Sequence, residues 1–184
     1  MVAHPFRLGV ADLIGRPGVK RRERFGATLD TLEVAASRVP ASATVTIDAT
    51  LEWVTDGILV TGTVSAPWEG ECRRCLGPAR GVARADVREL FERRPREGES
   101  YLLDHDVVDL EPLTRDALLL ELPLAPLCDP GCLGLCPSCG VNRNESPCSC
   151  AEQGRDPRWA ALDVLLPGGS KPDGPSREAG RSGE

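Results

Sequence analysis

"ATVTIDATLEWVTDGILVTGTVSAPWEGECRRC" (residues 43–75) sets the reading of the whole chain. In its first part Val45, Ile47, Ala49, Leu51 and Trp53 are apolar, and Thr44, Thr46, Asp48, Thr50 and Glu52 alternate with them as polar residues. A period of two belongs to a strand with one buried face. Asp56-Gly57 then predicts a hairpin turn, because glycine accepts a positive φ at little cost. A second alternation, through Ile58, Val60, Gly62, Val64, Ala66 and Trp68, runs straight into Cys72-Arg-Arg-Cys75. Further on, Ala83, Ala85 and Val87 alternate with Arg84, Asp86 and Arg88. Arginines at 80, 84 and 88 would also suit a helix, but a third strand completes a meander, so a strand is expected. Cys72 and Cys75 then sit at a hairpin tip, at the end of the sheet opposite Asp56-Gly57.

Outward from this hairpin the chain divides into four parts. Residues 1–40 read as an extended basic arm, in which glycines and prolines surround the run Lys20 to Arg24. That run suits either RNA phosphates or an edge segment blunted by charge. Residues 41–125 hold the antiparallel sheet and a helix, with 93–106 expected as a mobile surface loop. For the helix in "DLEPLTRDALLLELP", Asp109 is the expected cap, Pro112 fits the first turn, and Pro123 ends it. Leu113, Ala117 and Leu120 would share its buried face. Residues 126–166 are Cys-rich and end in a short helix capped by Asp156, with Trp159, Leu162 and Leu165 or Leu166 as its buried stripe. Residues 167–184 cannot bury anything and read as a disordered tail. The fold class expected is α+β: an antiparallel β-meander, a few short helices, and a Cys-rich zinc-binding C-terminal part.

Composition narrows the function classes. Aromatics are 4% of the 184 residues, so the core must be built from Val, Leu, Ala and Ile, and cross-links would help it. No secretory leader and no membrane-spanning run are seen, so a cytoplasmic protein is expected. A reducing compartment favours metal binding over disulfides for paired thiols. The net charge of −6 argues against indiscriminate coating of nucleic acid. A basic N-terminal end and an acidic belt over 104–121 fit a selected partner.

The cysteines fall into four close pairs: Cys72/Cys75, Cys128/Cys132, Cys136/Cys139 and Cys148/Cys150. Four thiolates around one Zn²⁺ make a closed structural site, and eight make two. In "CPSCG", Gly140 supplies backbone freedom after the second ligand. Cys136, Cys139, Cys148 and Cys150 can close a local site, leaving Cys72 and Cys75 to meet Cys128 and Cys132 as a long-range staple. The rival grouping joins Cys128 and Cys132 to Cys136 and Cys139. Disulfides, an iron–sulfur cluster and a thioredoxin-like role for "CRRC" are the alternatives weighed. A catalytic zinc is disfavoured, since His4 and His105 lie outside the pairs. Zinc in such modules contributes on the order of 10–16 kcal/mol to folding, comparable with the stability of a domain.

"GECRRCLGP", "LEPLTRDALLLELPLAPLC", "CLGLCPSCGVNRNESPCSC" and "DPRWAAL" occur in that order. The pattern resembles the YceD family, the large ribosomal RNA subunit accumulation proteins, over about residues 40–166. The resemblance implies a role in accumulation or processing of large-subunit ribosomal RNA and no known catalytic activity. It also implies that the "CRRC" pair is common while the "CPSCG…CSC" part is lost in some members, which favours two separate sites.

Three functions follow as expectations. The first is a non-enzymatic ribosome-biogenesis factor that binds precursor large-subunit ribosomal RNA, or a protein on it. Lys20, Arg21, Arg22, Arg24, Arg73 and Arg74 are its candidate contacts, although Arg73 and Arg74 would equally balance the charge of a zinc held by four thiolates. The second is a protein-interaction module, or chaperone, whose acidic belt takes a basic ribosomal protein. The third is a thiol-based redox switch that releases zinc on oxidation. No membrane and no small-molecule substrate are expected as partners.

Overall fold

The computed structural model describes residues 4–150 apart from Asp56, together with Arg158, Trp159 and Leu162. The chain divides into two compact units, residues 1–148 and 149–184. All the regular elements that follow belong to the first. They are β1 (Arg7–Gly9), β2 (Lys20–Thr28), β3 (Leu32–Val34), β4 (Ser37–Val39), β5 (Thr44–Val54), β6 (Gly57–Glu71), β7 (Pro78–Glu92), β8 (Tyr101–Asp104), β9 (Val107–Asp109) and α1 (Glu111–Glu121).

The three long strands β5, β6 and β7 form where the alternation places them and pair antiparallel in sequence order. Val45, Ile47, Ala49 and Leu51 of β5 are buried, as are Ile58, Val60, Val64 and Ala66 of β6. On β7 the buried row is Ala79, Ala83, Ala85, Val87 and Phe91. Its small side chains let α1 approach closely, and α1 packs against β7, β6 and β3. Trp68 lies over Gly81, its cross-strand partner, where a Cβ would come within 2.8 Å of the indole ring.

The N-terminal residues, expected as an extended arm, instead form four strands of the same sheet system. β2 pairs with β5 along its whole length, from Lys20↔Glu52 to Thr28↔Thr44. β4 pairs with the far end of β6, and β1 with β9. Phe6, Val10, Leu13, Leu29, Leu32 and Val39 are buried in the common core. Those residues are too widely spaced to show one period, so only their long-range pairing reveals them.

The hairpin turns where expected, with Gly57 closing it, but Gly57 does not take a positive φ. It opens β6 opposite Val54 and Glu92, and a Cβ there would overlap the Phe91 carbonyl oxygen. Close approach of β7, not turn geometry, accounts for glycine at this position. The segment 93–106 is only partly a loop: β8 pairs parallel to the end of β7, then turns at His105 (φ 58°) into β9. Tyr101 stacks on Phe91 at 5.2 Å and donates a hydrogen bond to Asp116 at 2.9 Å, which ties β8 to the helix.

In α1 the buried residues are Leu113, Thr114 and Leu118; Ala117 is half-buried and Leu120, expected inside, is 86% exposed. Asp109 accepts the Glu111 N–H at 3.0 Å but stands one residue before the helix cap, which is Leu110. The described residues are thus mostly β, with one α-helix, and the expected meander is one part of a larger curled sheet. The short helix expected near 156–166 lies largely outside the described residues, and the tail 167–184 entirely so. Trp159 and Leu162, expected in a buried stripe, are exposed.

Candidate metal centres

Cys72 and Cys75 occupy the turn joining β6 to β7, and Cys128 and Cys132 the turns that follow α1. Their four Sγ atoms lie within 4.8 Å of one another. Cys72 and Cys132 are 3.8 Å apart, Cys75 and Cys128 3.5 Å. Sulfurs at about 2.3 Å from one ion, at tetrahedral corners, stand about 3.8 Å apart. The spacing therefore suits a single ion. It is too wide for bonded sulfurs, which lie about 2 Å apart, and all eight cysteines are free thiols. A multi-iron cluster, with metal and sulfide ions between its thiolates, would need a wider set.

Cys136, Cys139, Cys148 and Cys150 form a second set with Sγ atoms within 4.8 Å. The grouping is the four-and-four arrangement derived from spacing, and the rival grouping does not occur. Both sets can hold a metal ion.

The two C-x-x-C turns are built alike. Cys72 N–H donates to the Gly77 carbonyl at 2.8 Å and Leu76 N–H to the Cys72 carbonyl at 2.9 Å. Cys136 N–H donates to the Val141 carbonyl at 2.8 Å and Gly140 N–H to the Cys136 carbonyl at 2.9 Å. In each, the residue after the second cysteine takes a positive φ: 58° at Leu76 and 74° at Gly140. The first turn is docked by Arg73 N–H on the Pro126 carbonyl and by Leu135 N–H on the Arg74 carbonyl, both at 3.0 Å. Asp129 shapes the opposing turn, its side chain accepting Gly131 N–H at 2.7 Å and its carbonyl accepting Cys132 N–H at 3.0 Å.

Backbone donors also prepare charge. The N–H of Cys128, then those of Cys75 and Arg74, pull the Cys72 thiol down to about 6. The N–H groups of Cys139 and Ser138 do the same for Cys136, also to about 6. Cys128, facing the sulfurs of Cys75 and Cys132, is pushed up to about 12. Each turn thus readies one thiolate, and at the first site a crowded neighbour keeps its proton until a cation arrives.

Asn144 was not foreseen from the sequence. Its Nδ2 donates to Cys132 Sγ at 3.2 Å and to Asn142 Oδ1 at 2.8 Å, while its Oδ1 accepts Leu133 N–H at 2.8 Å. A residue between Cys139 and Cys148 therefore serves a ligand of the other set. Asparagine in a polar loop carries no signal of this kind.

The expected RNA contacts are scattered. Arg74, exposed like Arg73, folds back over the ligand turn and donates to the carbonyls of Cys132 (2.9 Å) and Pro130 (3.4 Å), so it braces that turn. Arg73 is exposed. The run Lys20 to Arg24 lies on β2, an edge strand. There Lys20 pairs with Glu52 (3.1 Å), Arg21 with Asp12 (2.6 Å), and Arg22 bidentately with Asp48 (2.8 Å). Arg24 alone of the four extends without an ion pair among the described residues. Part of the acidic belt is engaged too: Asp104 meets Arg7, Asp116 takes Tyr101, and Glu111 meets His4 and Arg115. No helix among the described residues is long and apolar enough to cross a membrane.

The family model described as "Large ribosomal RNA subunit accumulation protein YceD" matches residues 60–166. An uncharacterized protein of Mycobacterium tuberculosis is 39% identical over 180 residues, covering 90% of this chain and 83% of the relative. A chloroplastic "Large ribosomal RNA subunit accumulation protein YCED homolog 1" of Arabidopsis thaliana is 33% identical over 58 residues, 32% of this chain and 18% of its own. The protein of the same name in Zea mays is 25% identical over 179 residues, 78% of this chain and 60% of its own. No solved structure matches.

Proposed function

Because this chain belongs to the YceD family, we propose that it is a non-enzymatic ribosome-biogenesis factor of the cytoplasm. It supports accumulation or processing of large-subunit ribosomal RNA. The family match over residues 60–166 carries this reading. The ribosomal role itself is the one named for the plant relatives.

In this reading Cys72, Cys75, Cys128 and Cys132 hold one Zn²⁺, and Cys136, Cys139, Cys148 and Cys150 hold another. Zinc supplies a redox-inert tetrahedral cross-link, and four thiolates leave it no open position for water or substrate. The chain's own part is to present the sulfurs at single-ion spacing and to stabilise their charge with backbone N–H groups. The Asn144 amide adds a donor at Cys132. The first ion would fasten the β6–β7 tip to the segment after α1, a cross-link of the kind an aromatic-poor core needs.

Elemental analysis of the purified full chain should find two zinc ions per molecule. Deleting the gene should lower the ratio of large- to small-subunit ribosomal RNA, and the wild-type gene should restore it. A folded chain without metal would refute the zinc assignment. An unchanged ratio would refute the ribosomal role.

A further inference from the structure

The sheet face turned away from α1 is open. Along β7 its outward residues include Arg80, Arg84, Asp86 and Arg88, all exposed. The register carries this face across four strands. Arg88 stands opposite Thr61, Thr61 opposite Thr50, and Thr50 opposite Arg22. Further along, Arg84 stands opposite Ser65, and Ser65 opposite Thr46. Hydroxyls share the middle of the face with the carboxylates Asp48, Glu52 and Glu69, and guanidinium groups stand on its two margins, with Asp86 among those of β7; the margins lie about 14 Å apart at about 4.8 Å per strand. The β7 arginines follow one another at about 13 Å along their margin. That margin is free, because β7 meets β8 only at Phe91 and Glu92.

Charge pairing on this face is uneven. Asp48 is held by Arg22, Glu52 by Lys20 and Glu69 by Arg38, while Asp86 and Glu92 accept from the Thr63 and Ser100 hydroxyls at 3.0 and 2.6 Å, which leave their charge in place. Among the described carboxylates of this face, Asp86, Glu92 and, at the knuckle end, Glu71 form no ion pair. Arg24, Arg80, Arg84 and Arg88 likewise form no ion pair among the described residues. In a chain of net charge −6, this face keeps four arginines without an ion pair against three such carboxylates. Its aromatics do not join it: Phe25, Trp53, Trp68 and Phe91 of the same strands pack on the core side. A surface with arginines and hydroxyls but no rings cannot stack splayed bases. It suits phosphate oxygens and 2′-hydroxyls, recognised by shape.

We infer that this open face, led by the β7 arginines with Arg24 at the opposite margin, is the RNA-binding surface in place of the knuckle arginines, and that it takes the backbone of a double-stranded RNA segment. The inference rests on the ribosomal RNA reading above and assigns its contact surface.

The test titrates the full chain with a labelled RNA duplex of about 20 base pairs, at salt from about 50 to 200 mM. Combined Arg80→Gln, Arg84→Gln and Arg88→Gln should weaken binding at least about tenfold and flatten the log–log salt slope by about two to three. Arg73→Gln should leave both within about twofold. All three β7 arginines are exposed, so metal content and melting temperature should not change, and both are measured as controls. Unaltered affinity and slope in the triple variant would overturn the inference, as would a wild-type chain that does not bind the duplex. A triple variant that keeps the duplex but loses a nuclease-resistant protein partner would assign the face to protein instead. If the triple variant restores normal ribosomal RNA to a deletion strain, this surface is refuted while the ribosomal role stands. A deletion strain with unchanged ribosomal RNA refutes the role itself.

Discussion

The first set buries Cys72 and Cys132 and exposes Cys128, whereas the second buries Cys136 alone and exposes Cys139 and Cys150. Yet the two C-x-x-C turns share the same backbone hydrogen bonds, at 2.8 and 2.9 Å in each. What differs is the length of chain each site closes. The first joins residues 53 and 60 apart in sequence, bringing a strand hairpin to the segment after a helix. The second gathers ligands from residues 136–150 alone. With an ion bound, the same local chemistry would staple the whole sheet in one place and clasp a single loop in the other.

The sharpest way to break that contrast is to remove one ligand from each site. Cys72→Ser should cost at least about 4 kcal/mol and abolish the cooperative thermal transition. Cys148→Ser should halve the zinc content and leave the sheet's melting and near-ultraviolet dichroism close to wild type. Equal damage from both would erase the distinction.

Acid should act on the two sites together. Cys72 and Cys136 are each lowered to about 6, from an unfolded value near about 8.5. Their thiolates therefore favour the folded state fully above the unfolded value, and that contribution is lost as pH falls through about 6. Cys128, raised to about 12, must give up a proton when metal binds, so affinity should fall steadily as the solution is acidified from mildly alkaline conditions. Calorimetry near neutral pH in buffers of different ionisation enthalpy should show proton release. A binding enthalpy independent of buffer would contradict the charge assignment.

Asn144→Ala tests the link between the two loops. It should weaken metal at the first site by about 10- to 100-fold, read by chelator competition, while the second site holds its ion. The smallest effect lies in the turns. Leu76→Gly should raise stability by up to about 1 kcal/mol, since leucine there sits at positive φ. Gly140→Ala should lower it by about 1 kcal/mol through φ alone, because a Cβ at that position meets nothing within 4 Å. Differential melting curves would resolve both signs.

The long strands and the sulfur grouping were legible because each is written in local spacing: a period of two across 44–68, and cysteines that come in pairs. β1 to β4 were not, because their residues gain meaning only from partners such as Asp109 and Glu52, far along the chain. The basic run looked like a ligand surface until the register set Lys20 and Arg22 beside their carboxylates. The arginines of β7 showed their four-residue spacing plainly. Their freedom from partners, however, belongs to the folded sheet. Helix α1 was placed correctly by its prolines, but the face it buries is turned from Leu120 toward Leu118, because β7 offers a narrow alanine row.

The first site also sets a timetable for synthesis. Its ligand Cys132 leaves the ribosome 60 residues after Cys72, which at about 5–20 residues per second is about 3–12 s later. For that interval the nascent hairpin carries a reactive thiol pair with nothing to close on it. For a site that takes an ion, protection from oxidants or a transient cation shared by Cys72 and Cys75 would cover the gap until Cys128 and Cys132 complete the set.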